Sequence, residues 1–130
     1  MNEISVKAHN ITVAGQVPVE RHQIRPTLTP TYAVDADRVL PWWTLRLGPV
    51  LVVGVQVELS SVTGAAIMAS SPIDHTLVAT MVNGAAKYLP DAQAFDRGTY
   101  EALSSRYAKG GAEALAAAIL DDLTGGSTCL

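Results

Sequence analysis

Leu45-Arg46-Leu47-Gly48-Pro49-Val50-Leu51-Val52-Val53-Gly54-Val55-Gln56-Val57-Glu58 is the stretch on which the fold turns. Residues 44–47 and 51–58 favour extended backbone, and Gly48-Pro49 between them is a turn signal. Together they predict a β-hairpin. Side chains alternate along a strand, so Val53, Val55 and Val57 share one face while Val52, Gly54, Gln56 and Glu58 share the other. Glu58 thus closes an apolar strand on its less apolar side, a position where a carboxylate is ordinarily solvated.

Downstream, Ser60 or Ser61 can cap a helix over 62–69, because a serine oxygen accepts a bond from a free helical N–H. Gly64, Ala65, Ala66 and Ala69 make that helix slim enough to lie close on a sheet, and Pro72 lies beyond its end. Residues 76–82 are apolar and β-branched and predict a strand, with Asn83-Gly84 as its turn. Strand, helix and strand at this spacing predict a right-handed parallel crossover. A loop over 88–98 holds a turn of helix near 91–95, and 99–107 begins helically. Gly110-Gly111 precedes a last helix over 112–123, where Ala112, Leu115, Ala116, Ile119 and Leu123 form one apolar stripe. Gly125-Gly126 ends it.

Upstream, residues 4–8 and 11–14 read as two strands separated by a turn at His9-Asn10, and 17–20 as an edge segment where proline is tolerated. Pro26 and Pro30 mark 21–32 as an irregular connection. Residues 34–40 read as a short helical turn before Pro41. Trp42-Trp43 are core or interface anchors, with an apolar ligand pocket beside them as the functional alternative. The fold class expected is α/β: a mixed β-sheet with a crossover helix and a C-terminal helix, in a single domain over 1–130.

Composition narrows the function classes. A net charge of −3 gives no electrostatic basis for nucleic-acid binding. The single cysteine, Cys129, excludes an internal disulfide and a multi-cysteine metal site. The amino terminus lacks a basic start followed by an apolar run, and the longest apolar run, near 49–57, is too short for a membrane span. A cytoplasmic protein is expected. Charged residues make up only 16% of the chain and hydrophobic residues 48%. So few charges leave apolar surface for another chain to cover. His9, His22 and His75 show no metal-ligand spacing, and Ser60 and Ser61 lack a nucleophile elbow.

The order of several motifs is more specific than any one of them. Leu45-Arg46-Leu47-Gly48 starts a strand and Glu58 ends the next. Asn83 is followed by Tyr88 and Pro90, and then by Gly98, Tyr100 and Glu101. Over about residues 43–123 this order resembles the C-terminal part of the catalytic domain of neutral ceramidase-type zinc amidases. The resemblance implies that Glu58 and Tyr88 are metal ligands and that Tyr100 and Glu101 belong to the catalytic site. The Tyr100 hydroxyl would donate to a developing oxyanion. Zinc is the implied cofactor, and an amide or related small molecule the implied substrate. Gln56-Val57 stands where the family has Pro-Gly, which removes the residues that favour a tight bend before the glutamate.

The family's histidine ligands lie in an N-terminal portion with no counterpart here. Two oxygen ligands make a poor zinc site without nitrogen partners. A second polypeptide is therefore expected to complete the site, as a separate N-terminal half or as a second copy in a homo-oligomer. Its interface is expected to include the edge near Glu58 and Tyr88. The alternative is a non-catalytic binding or scaffold subunit that kept the fold and lost the metal chemistry, a reading that Gln56-Val57 favours.

Overall fold

The structure is a computed structural model that describes residues 4–26 and 29–125. Cys129 and Gly126 lie outside the described residues. The hairpin is present: β2 (Val34–Leu47) and β3 (Val50–Val55) run antiparallel, with Leu47 opposite Val50 across a two-residue turn. Gly48 takes φ 58 there, a left-handed conformation that glycine adopts without a Cβ penalty.

β1 (Ile4–Gln16) pairs antiparallel with β2, and β5 (His75–Ala79) pairs parallel with β3. The sheet is thus four-stranded and mixed, in the order β1-β2-β3-β5. Helix α1 (Ser61–Ser70) lies in the connection from β3 to β5, and Ser60 is its cap, accepting from Val62 N at 3.3 Å. Helix α4 (Gly111–Leu123) closes the domain. The inward side chains Leu40, Trp42, Leu51, Val53 and Val55 are buried with Ile67 of α1 and Leu115 and Ile119 of α4. Ala112, Leu115 and Ile119 of the expected stripe are fully covered, and Ala116 and Leu123 pack at its margin. The class is α/β, with a mixed sheet, a crossover helix and a C-terminal helix.

Five local expectations are corrected. Residues 34–40 are strand rather than helical turn, because β1 pairs with β2 from Leu47 back to Val34. Pro41 does not interrupt it: Trp42 opposite Val55 is the last rung with β3, so the missing N–H of Pro41 costs nothing on that side. Segments 4–8 and 11–14 are one strand, with His9-Asn10 paired in register opposite Trp42 and Pro41. Two apolar patterns of opposite phase meet there, since Ile4 and Val6 point away from the helices while Val13 points towards them. Residues 17–20 form no strand; Val17 and Val19 donate to Ala33 and Leu103 instead. The strand over 76–82 stops at Ala79, and Met81 and Asn83 take positive φ. The strand over 51–58 breaks after Val55, and its end forms a separate short strand.

That break builds the second sheet. β4 (Glu58–Leu59) and β6 (Tyr88–Leu89) are parallel, with Glu58 opposite Tyr88. The irregular 21–32 connection contains a short 3₁₀ turn, Arg21–Gln23. Two short helices follow β6: α2 (Ala92–Arg97) and α3 (Tyr100–Ser104). Gly98 at φ 63 ends α2 and sits against Pro30 of that connection.

Candidate functional site

Gln56-Val57 makes the bend without proline or glycine. The Gln56 side-chain amide donates to the Asn83 carbonyl at 3.0 Å, and Val57 is buried as an anchor. Glu58 N then donates to Lys87 O at 2.8 Å, and Ser60 N to Leu89 O at 3.2 Å. These bonds lock β4 beside β6 and leave the Glu58 side chain exposed.

Tyr88 is held from behind. The buried Ser105 hydroxyl has one proton for two carbonyls within reach, Tyr88 O at 2.9 Å and Tyr107 O at 3.2 Å, and accepts from Tyr107 N at 3.1 Å. Gln16, at the end of β1, donates through its side-chain amide to Ala102 O at 2.8 Å and Ser105 O at 3.0 Å. The amino-terminal strand therefore positions α3. The Thr99 side chain caps α3, accepting from Ala102 N at 3.2 Å. On its first turn Tyr100 lies edge-on to Tyr88, with ring centroids 6.1 Å apart and planes at 81°.

Glu58, Tyr88 and Glu101 line one cavity of about 360 Å³, together with Ser60, Asp91 and Arg97. A wider hollow of about 550 Å³ lies between Arg21, Ile24, Tyr88 and Tyr100. All four residues singled out from the sequence thus gather around one phenol. Its electrostatics follow from the neighbours: the Glu58 carboxylate, most of all, pushes the Tyr88 pKa above 10.0, followed by burial and by Tyr100 and Glu101. A phenol is protonated at physiological pH in any case, and these neighbours make its ionisation harder still.

No protein-family model and no curated protein matches the sequence. Solved structures do. A neutral ceramidase from Pseudomonas aeruginosa superposes with a TM-score of 0.69 at 15% identity, over 97% of this chain and 29% of that one. A ceramidase complexed with C2 superposes with a TM-score of 0.62 at 21% identity, over 71% of this chain and 15% of that one. The fold is ceramidase-like.

This ceramidase-like unit thus spans less than a third of the length of either solved chain. The likeness reaches beyond residues 43–123, since 97% coverage takes in β1 as well. Among the described residues, no three histidine, cysteine, aspartate or glutamate side chains cluster closely enough to hold a metal. The donors at hand are oxygens: the Glu58 carboxylate and the Tyr88 phenol. His9 stacks on Trp42 at 5.0 Å on the helix side of the sheet, and His75 opens β5 at the end where β3 begins. His22 belongs to the 3₁₀ turn whose Arg21 faces Tyr88 and Tyr100.

Several residues of the candidate site escaped the sequence reading. Asp91 accepts the Ser60 hydroxyl at 2.8 Å, so the helix cap and the cavity wall are one structure. Asp91 just before a helix was a legible cap signal, but nothing local tied it to Ser60. Arg97, Arg21 and Ser105 carry no motif; only chain folding brings them to the tyrosines. Trp42 is a core anchor, and the hollow beside it, the alternative to that reading, is lined by the polar His9, Asn10, Asp121 and Asp122.

Proposed function

We propose that this chain is a split or cut-down ceramidase-like amidohydrolase subunit that acts in the cytoplasm on an amide or related small molecule. One observation carries the reading: Glu58 and Tyr88 stand opposite one another on adjacent parallel strands, with Tyr100 against the same ring and Glu101 in the same cavity. In this reading residues 1–130 are one domain, and the motif-bearing segment runs from about 43 to 123. Glu58 and Tyr88 hold zinc, and a second polypeptide supplies the nitrogen ligands. Zinc, when bound, polarises a carbonyl and lowers the pKa of its water. The chain's own residues do the remainder. Tyr100 donates its hydroxyl to the oxygen on which negative charge develops. Glu101 accepts a hydrogen bond from the substrate. Glu58 raises the Tyr88 pKa, and a cation bound between them would offset that carboxylate and ease loss of the phenol proton.

The second reading, a binding or scaffold subunit that kept the fold without the metal chemistry, draws on the position of His9 and His75 away from the tyrosines. The two separate on metal content. The protein is purified from its source cells with any bound partner, then assayed for zinc and for cleavage of small amides. Stoichiometric zinc that Glu58→Ala abolishes is expected. Absence of metal in both the complex and the isolated chain, under every loading condition, would leave the scaffold reading in possession.

A further inference from the structure

The four-stranded sheet has a second face, and among the described residues helices cover only the first. We infer that this outward face is a self-association surface on which a second copy of the chain packs, sheet on sheet. The register places Val6, Leu45, Val52 and Leu77 in one row across all four strands. A parallel row runs through Ile4 and Leu47, and another through Trp43. Ile4 is 74% exposed, Val6 66% and Leu77 57%. Single exposed apolar residues are ordinary, but a registered apolar lattice is not.

The occupant follows from charge and area. None of the outward positions in these rows, nor in the two further rows shared by β1 and β2 (Asn10 with Pro41, Thr12 with Val39), is Asp, Glu, Lys or Arg; the Ile4–Leu47 row ends on His75, and Asp37 lies beyond Val39. A face with its ionisable groups confined to the rim meets its own image without like charges opposed at its centre, as a two-fold contact requires. It also offers nothing to an anionic membrane, and the chain as a whole is at −3. With strands about 4.8 Å apart and rows about 6.7 Å apart, the face covers roughly 500 Å² in projection. Two copies then hide about 1,000 Å² before side-chain relief is added, which reaches the size of a specific interface. The packing expected is two sheets about 10 Å apart with strands within about 30° of aligned. The inference does not rest on the amidohydrolase reading and holds if that reading fails.

The test uses the full chain carrying Trp42→Phe, so that Trp43 of the outward face is the sole tryptophan. Light scattering is expected to give twice the chain mass of 13.7 kDa, and dilution should shift Trp43 emission to the red as copies part. Leu45→Arg and Leu77→Lys each place a charge on the face and should weaken association by more than about tenfold, because an unpaired charge would be buried. Circular dichroism checks that both variants stay folded. Leu77 is already largely exposed, so Leu77→Lys carries the test if Leu45→Arg unfolds. A monomer at the highest concentration reached overturns the inference. So does a dimer indifferent to both substitutions, which would indicate pairing through another surface, such as the edge of β1 upstream of Ala14.

Discussion

The four-stranded sheet and the two-stranded β4–β6 sheet lie end to end along one chain segment, yet different forces hold them. In the larger sheet Val53 and Val55 are wholly buried between neighbouring strands and two helices, and apolar burial dominates. In the smaller sheet each strand has two residues, and hydrogen bonds from Gln56, Ser105 and, through α3, Gln16 set the position of Tyr88. The core is a platform that tolerates no cavity. The candidate site is a polar assembly whose geometry hangs on a few bonds. Substitutions in the two regions should therefore separate stability from site geometry.

The largest expected effect is in the platform. Leu115→Ala opens a cavity at a fully buried position between α4 and the sheet, and should cost about 2–5 kcal/mol. Urea unfolding would show a lower midpoint with an unchanged slope. Tyr88 titration in the surviving folded protein should stay as it was. A shifted titration would mean that the two sheets are mechanically one.

Gln16→Leu should cost less, about 1–3 kcal/mol, by leaving the Ala102 and Ser105 carbonyls without their buried donor. Here the site should respond as well. Hydrogen exchange ought to quicken in β6 and α3 more than in β3, as in a local opening. Uniform quickening across both sheets would assign Gln16 to the platform instead.

Glu58→Gln should leave stability within about 0.5 kcal/mol, since the side chain is exposed. Its effect is on titration: without the carboxylate, the Tyr88 pKa falls back towards 10.0, measurable by ultraviolet difference absorbance. The sign for stability follows. A phenol whose folded pKa lies above the unfolded 10.0 favours the folded state below that pH and loses the advantage as pH rises through the folded value. The variant should lose less of its stability across that alkaline window than the parent chain does. An unchanged Tyr88 titration would show that burial, rather than Glu58, holds the phenol neutral.

By itself the sequence determined the hairpin, the crossover helix, the last helix and the α/β class, because period-2 and period-3.6 apolar patterns and glycine turns are local signals. Glu58, Tyr88, Tyr100 and Glu101 were singled out as a set only through the resemblance to the zinc amidases. Tertiary structure decided what those signals leave degenerate. Residues 34–40 carry too few apolar side chains to declare a strand and become one because β1 lies alongside them. Ile4 and Val6 alternate like any buried strand, and only the position of the helices shows that they face outward. The bend at Gln56-Val57 could not be read from residue types that do not favour bends. It exists because an amide reaches the Asn83 carbonyl, 27 positions along the chain. Contacts between residues far apart in sequence leave no period behind, which is why the platform's hairpin and helices were legible while the β1–β2 pairing and the polar joints of the site were not.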